Sequence, residues 1–267
     1  METFRDQVIV VTGASEGIGR AICLGLAPEK PKLALAARNV VRLESLKAEC
    51  EAHGAEALVA PTDVTSQDAC KALIDQTVAR FGRIDALVNN AGRTMWTTLE
   101  DVTDLSIFEQ LMRLNYLSCV YCTYYALPHL KQSRGRIVAV SSVAGLAGVP
   151  TRTGYSASKH AMFGFFNSLR IELAAAGVSV TMAAPDFVLS EMHRRAFNGA
   201  GGALGKSPMQ EDQIMTADAC ARLIIEAMRR RKRLLLTSRR GKMGHWLAFL
   251  APGLMDRIAA KAIAQRK

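Results

Sequence analysis

Tyr155 and Lys159 stand four residues apart at the head of a segment with helical patterning. On a helix that spacing places both side chains on one face, a turn apart. A free phenol ionises near about pH 10, too high for acid–base work at neutral pH. A neighbouring ammonium favours the phenolate, so such a pair can give or take a proton at an oxygen. Ser142 closes the preceding strand-like run, residues 136–141, where its hydroxyl would polarise a carbonyl beside the tyrosine. These groups together would move a proton at oxygen while a hydride moves at carbon. Chance supplies many Tyr-x-x-x-Lys pairs, so the surrounding elements must carry the argument.

Those elements alternate regularly. Residues 7–11 read as a buried strand, followed by Thr12-Gly13-Ala14-Ser15-Glu16-Gly17-Ile18-Gly19 and a helix over 20–27. Strand, glycine-rich turn and helix in that order form a phosphate site: the backbone can approach closely and the helix N-terminus favours an anion. A second strand, 32–37, ends in Arg38-Asn39, where an acidic residue would bind ribose hydroxyls. Arg38 offers a planar, permanent cation suited to a 2′-phosphate, so NADP(H) is expected over NAD(H), although Glu16 nearby would not help a phosphate.

Helices over 40–53 and 66–81 then alternate with strands over 55–60 and 85–89. Such alternation predicts a parallel sheet covered on both faces. Asp63, followed by Val64, ends the third strand; it reads either as an adenine contact or as a helix N-cap. Asn89-Asn90-Ala91-Gly92 ends the fourth. A helix over 105–132 carries Asn115, a core hydrogen bonder or the holder of a water near Lys159. The tyrosine helix runs over 153–176, and a sixth strand over 178–183. Residues 192–213, with four glycines and few apolar anchors, read as a flap over a cleft or a loose surface loop. A helix over 216–230 and a strand over 234–237 complete the sheet.

Composition bounds the rest. The chain has 267 residues, 49% hydrophobic and 22% charged, as expected of one soluble α/β domain. Its first residues include no apolar run, so no secretory signal is expected, and no stretch is long and apolar enough to span a bilayer. Six scattered cysteines suit a reducing, cytoplasmic setting; Cys119-x-x-Cys122 lies within a predicted helix with no second pair, so no metal is expected. Residues 229–267 hold 12 of the 34 Lys and Arg but only Asp256 among the acids. The body is therefore near neutral, which argues against nucleic-acid binding and assigns any electrostatic partner to the tail. We divide the chain at 1–238, the catalytic domain, and 239–267, a basic amphipathic extension. The extension carries Trp246, Phe249, Leu250, Leu254, Met255 and Ile258, interrupted by Pro252-Gly253, as two short amphipathic turns. Three roles stand open for it: a lid on the substrate cleft, a subunit interface, or peripheral contact with an anionic membrane surface.

Taken together, residues 5–237 resemble the short-chain dehydrogenase/reductase family. The resemblance implies a doubly wound (Rossmann) seven-stranded parallel sheet with helices on both faces, packed as a homodimer or homotetramer through long helices. It implies a cofactor loop at Gly13, Ser15, Gly17, Ile18 and Gly19, an adenine contact at Asp63 and Val64, and a strand-stabilising motif at Asn90, Ala91 and Gly92. It also implies a catalytic tetrad of Asn115, Ser142, Tyr155 and Lys159, with the thirteen-residue step from serine to tyrosine. In that tetrad Tyr155 exchanges the proton and Ser142 holds the carbonyl oxygen. Lys159 binds the nicotinamide ribose and favours the phenolate, and Asn115 positions a relay water. After the sixth strand the family usually has Pro-Gly and then a threonine on the carboxamide. Here the run is Pro185-Asp186-Phe187-Val188-Leu189-Ser190, with Ser190 supplying the hydroxyl. Asp186 in the glycine position is expected to change the local backbone or the polarity beside the nicotinamide.

The expected function is interconversion of a ketone and a secondary alcohol on a hydrophobic, steroid- or lipid-like small molecule. Two alternatives stand beside it. One is a β-ketoacyl thioester reductase, with His193, Arg194 and Arg195 meeting a carrier phosphate. The other is a dinucleotide-binding sensor without turnover.

Overall fold

The computed structural model describes residues 3–207, 209 and 214–264. Seven strands, β1 (Val8–Thr12), β2 (Lys32–Ala37), β3 (Glu56–Pro61), β4 (Ala86–Asn89), β5 (Arg136–Val140), β6 (Ser179–Ala184) and β7 (Leu234–Leu236), form one sheet. Every pairing is parallel, in the spatial order β3-β2-β1-β4-β5-β6-β7. The chain reverses its direction of travel across the sheet between β1 and β4, so a crevice opens there at the carboxyl ends of the strands.

β1 is buried along its whole length, as a Val-Ile-Val-Val run with both faces covered must be. Ile9 and Val11 point into one core and Val10 into the other, following the two-residue strand period. The first core packs under α1 (Gly17–Leu26), α2 (Val40–Ala52) and α7 (Ala217–Arg229). The second packs under α3 (Gln67–Phe81), α5 (Ser118–Ser133) and α6 (Thr153–Glu172). α1 begins at Gly17, three residues earlier than its apolar pattern suggests, so the last glycines of the loop form its first turn. Asn39, Ser66 and Thr216 cap α2, α3 and α7 by accepting a backbone N–H from the first turn.

The long helix expected over 105–132 is composite. α4 (Ser106–Met112) passes into a π-helical turn, Arg113–Leu117, and then into α5. The extra residue in that turn carries Asn115 into the interior. Beyond β7, the tail forms two full helices rather than short turns: α8 (Arg239–Leu250) and α9 (Pro252–Ala264). Pro252 opens the second helix at a position where a missing N–H costs nothing.

The glycine-rich segment is pinned rather than loose where it is described. Phe197 exchanges backbone hydrogen bonds with Thr94 and Trp96, and the Gly199 carbonyl accepts from Thr103 and Asp104. Ala196 and Phe197 are buried beneath it, anchors too few to stand out in the sequence. Its remainder, residues 208 and 210–213, lies outside the described residues. All six cysteines are free and buried, one in each of α1, α2, α3 and α7 and two in α5. Burial pushes the Cys119 thiol up to about 11 and the Cys220 thiol to about 12, so neither is a ready nucleophile. Among the described residues no cluster of ligating side chains could hold a metal ion.

Candidate active site

A cleft of about 980 Å³ crosses the carboxyl ends of the strands. One end is walled by Gly13, Ser15, Gly17 and Ile18 from the glycine loop, Arg38 after β2, and Asp63 and Val64 after β3. Its middle is walled by Asn90, Ala91 and Gly92 after β4 and by Pro185, Val188 and Ser190 after β6. Ser142, Tyr155 and Lys159 face the same space. Of the residues singled out in the sequence, Gly19 and Asn115 stand behind this wall.

The glycine loop is shaped for an anionic ligand. Gly13 holds φ +66°, and a Cβ there would lie 2.9 Å from the Ala91 Cα. At Gly19 a Cβ would lie 2.3 Å from the Gly13 carbonyl oxygen, which no side chain permits. Asn90 locks this turn: its Nδ2 donates to the Thr12 and Gly13 carbonyls at 3.0 and 3.2 Å. The Thr12 hydroxyl accepts in return from the Asn90 and Ala91 N–H groups. Glycines that leave room for a ligand, at the N-terminus of α1, with arginines at the adenosine end, fit a nicotinamide dinucleotide.

At that end the charges are organised. Glu16 is ion-paired with Arg42 through one oxygen and with Arg195 through the other, the latter at 2.6 Å. Its negative charge is therefore already taken, and Arg38, Arg42 and Arg195 leave a positive surplus. Arg93 stacks on the Phe197 ring at 3.4 Å and donates to the Arg195 carbonyl. Burial first, then the neighbouring Arg38 and Arg195 charges, hold Arg93 below the usual arginine range. Asp63 is not the N-cap of α3; Ser66 takes that role. The Asp63 carboxylate instead accepts from the Thr65 N–H and hydroxyl, and these bonds hold it below the usual carboxylate range.

At the other end, α6 presents its two residues as the spacing requires. The Lys159 Nζ donates to the Val140 carbonyl at 3.0 Å and lies 5.7 Å from the Tyr155 ring centroid. A 3₁₀ turn, Val143–Gly145, folds Ser142 back against α6: a Cβ at Gly145 would lie 2.8 Å from the Lys159 carbonyl oxygen. The Ser142 Oγ accepts from the Ala144 N–H and contacts the Pro185 carbonyl. Asn115 is fully buried. Its amide donates to the Arg93 carbonyl and the Ser158 hydroxyl at 2.9 Å, and its Oδ1 accepts from the Arg93 N–H. The backbone enters α6 through Thr151 at φ +66°, whose carbonyl accepts from the Thr97 N–H.

Several lining residues escaped the sequence reading. Arg152, 5% exposed, lies between the Trp96 and Phe187 rings, 4.4 and 5.1 Å from their centroids, and 5.9 Å from that of Tyr155. Its signal was its place one helical turn before Tyr155. Arg42 follows Arg38 by four residues, and Arg93 directly follows the Asn-Asn-Ala-Gly run. The substrate side is walled by Leu146 and Val149 of the body and by Met243, Leu247, Met255 and Ile258 of α8 and α9. His193 is buried against the Val188 carbonyl, Arg194 pairs with Glu191, and Arg195 is held by Glu16.

Asp186 differs from expectation. Its φ is not among the positive values, so no left-handed strain replaces the missing glycine. Its carboxylate turns away to Ser238 and Arg240 at the start of α8.

A crevice at the reversal of a parallel sheet, with a glycine cradle at one end and a Tyr–Lys pair at the other, defines a dinucleotide-dependent oxidoreductase. Residues 7–201 match the short chain dehydrogenase family, and the chain belongs to it: an enzyme acting on CH–OH and C=O groups. It is 34% identical over 97% of its length to the dehydrogenase/reductase SDR family protein 7-like of Dictyostelium discoideum, covering 82% of that protein. It is 33% identical over 96% of its length to the 11-beta-hydroxysteroid dehydrogenase A of Sesamum indicum, covering 75% of it. Among solved structures, a short chain dehydrogenase/reductase of Burkholderia phymatum in complex with NAD superposes with TM-score 0.84 at 26% identity, over 95% of this chain and 96% of that one. An alcohol dehydrogenase of Thermococcus sibiricus complexed with 5-hydroxy-NADP gives 0.74 at 26% identity, over 86% and 95%.

Proposed function

We propose that this enzyme interconverts a ketone and a secondary alcohol on a bulky hydrophobic molecule of steroid or lipid type, with NADP(H) in preference to NAD(H). The observation that carries the reading is the continuity of one cleft from the arginines at Arg38 to an apolar chamber beside Tyr155. The name of the Sesamum relative points to the same substrate class. Solved relatives hold both kinds of dinucleotide, so the cofactor preference rests on Arg38 and Arg42.

The bound dinucleotide supplies hydride exchange at the substrate carbon. Gly13, Ser15, Gly17 and Ile18 would take its phosphates, Arg38 its 2′-phosphate, and Asp63 and Val64 its adenine. Asn90, Ala91, Gly92, Pro185, Val188 and Ser190 would flank the nicotinamide half. Tyr155 carries the proton given to the carbonyl oxygen, and Ser142 donates a hydrogen bond to that oxygen. Lys159 places a cation beside the phenol. Asn115 fixes the Arg93 backbone and, through Ser158, the first turn of α6, and positions the relay water. The apolar wall excludes solvent from the reacting carbon.

The test is NADPH oxidation against a panel of cyclic, aliphatic and steroid ketones. Tyr155→Phe is expected to lose at least about a thousandfold in kcat; undiminished turnover would refute the mechanism. Arg38→Ala is expected to raise KM for NADPH about tenfold while changing KM for NADH little. A carrier-thioester reductase would instead favour acyl thioesters over free ketones, and a sensor would bind nucleotide without turnover. The buried His193 and the paired Arg194 and Arg195 offer the thioester reading little support.

Two further elements of the reading concern partners. Trp246 and Phe249, 64% and 79% exposed, stand on α8, which also carries Arg239 and Lys242, a pattern suited to peripheral contact with an anionic lipid surface. Tyr124 on α5 and Ile171 on α6 are exposed apolar groups on which a second copy would pack as a homodimer or homotetramer. No helix among the described residues is long and apolar enough to cross a membrane. Six free thiols fit a cytoplasmic site of action.

A further inference from the structure

We propose that Asp186 is a positioning residue: it fastens the α8–α9 arm over the substrate end of the cleft and thereby sets which ketones are accepted. This rests on the reading that the cleft takes a bulky apolar ketone.

Asp186 sits between the catalytic side of the sheet and the arm. The carbonyl of Pro185, one residue before it, accepts from the Val143 N–H at 3.0 Å, beside Ser142. Its own N–H donates to the Thr237 hydroxyl at 3.2 Å. Its carboxylate then takes three bonds from the arm: Oδ2 from the Ser238 hydroxyl at 2.9 Å and the Arg240 Nε at 3.0 Å, and Oδ1 from the Arg240 Nη2 at 2.7 Å. The two Arg240 bonds form a bidentate fork, the strongest common geometry for such a pair. The hydroxyl of Ser238 is used twice, because it also accepts the Gly241 N–H at 2.8 Å as the N-cap of α8. One carboxylate therefore holds both the capping residue and the first turn of the helix, at the end where a negative charge is favoured.

The fastening acts where the arm meets the body most closely. Gly241 is the buried residue of α8, and a Cβ there would lie 3.0 Å from Val143. From that point α8 carries Met243 and Leu247 along the cleft, and α9 returns Met255 and Ile258 to it. With Ala259, these side chains are the arm's share of the apolar wall. A glycine in place of Asp186 would keep the chain path but remove every one of the carboxylate's bonds. The arm would then be free to swing, and with it the surface that recognises the substrate's bulk. The reacting groups Ser142, Tyr155 and Lys159 stand after β5 and on α6, and the hydrogen bonds of Ser142 and Lys159 run to Pro185, Ala144 and Val140 rather than to the arm.

The experiment compares steady-state kinetics of the full chain, Asp186→Asn, Arg240→Gln and the exchanged pair Asp186→Arg/Arg240→Asp, with NADPH and either progesterone or cyclohexanone. Both single variants are expected to raise KM for progesterone about tenfold, the effect of losing one charge-assisted fork. kcat, and both parameters for cyclohexanone, are expected to stay within about twofold, because nothing in the reacting centre changes. The exchanged pair is expected to recover most of the loss. An unchanged progesterone KM in both single variants overturns the proposal, as does an equal loss on both ketones. If the parent enzyme turns over no bulky ketone, the substrate reading fails by itself. Amide exchange then decides the fastening: α8 should exchange about tenfold faster in Arg240→Gln, and unaltered exchange refutes it.

Discussion

Thr151 shows how much the setting of Tyr155 depends on its neighbours. It is β-branched yet holds φ +66°, a conformation that costs about 1–3 kcal/mol for such a residue. Glycine there would lose about 0.5–1 kcal/mol through greater freedom in the unfolded chain. Relief of strain is the larger effect, so Thr151→Gly is expected to stabilise the protein by about 1 kcal/mol, read as a higher urea midpoint at unchanged m-value. Asn115 is the opposite case. Its amide satisfies both backbone groups of Arg93, so Asn115→Ala should cost about 2–3 kcal/mol of stability whatever its part in turnover. Ser142, Tyr155 and Lys159 were legible because helix and strand periods are local. Arg93, Arg152 and Phe187 were not, since their importance comes from where separate strand ends meet in space.

The elements themselves were largely readable, because each strand is a short apolar run bounded by turn residues and α2, α3, α7 and α8 each carry a side-chain N-cap. Two features were hidden. The π-turn at Arg113–Leu117 is a single extra residue, invisible to an apolar pattern read at ordinary helical spacing. The arm's helices were foreshortened because Pro252-Gly253 reads as a break, whereas the proline starts α9. Long-range ties between elements are equally silent in sequence. Glu29, after α1, is held below the usual carboxylate range chiefly by its hydrogen bond from Arg229 of α7, 200 residues away. A depressed folded value means the pair stabilises above the unfolded value of about 4.3 and loses that contribution as pH falls through the folded one. Glu29→Gln should therefore lower stability at neutral pH by about 1 kcal/mol and flatten the loss below about pH 4, measured as the melting temperature against pH.

At the scale of the molecule, residues 1–228 are nearly neutral, and the surplus positive charge is divided between residues 229–233, before β7, and the arm that walls the cleft. If that arm lies on lipid, the chamber beside Tyr155 opens close to where a hydrophobic ketone is dissolved. The full chain is then expected to co-sediment with vesicles containing phosphatidylserine, and to do so less as salt rises from about 0.05 to 0.5 M. A chain ending at Arg240 should stay in the supernatant. Equal sedimentation of the two would remove the membrane reading. The net charge and the apolar stripe suggested a lid, an interface or a membrane contact in sequence, but not which side chains of these helices line the cleft, namely Met243, Leu247, Met255 and Ile258.

The placement of the thiols has a use of its own. Each sheet-covering helix except α6 hides a cysteine, so the molecule carries a built-in clock for the loosening of its layers. Pulsed alkylation read by peptide mass would date the exposure of Cys23 and Cys220, which share one core, against Cys70 and Cys122, which share the other. Simultaneous labelling of all four would mean the two layers part from the sheet together; a lag would show which layer fails first when the enzyme is heated.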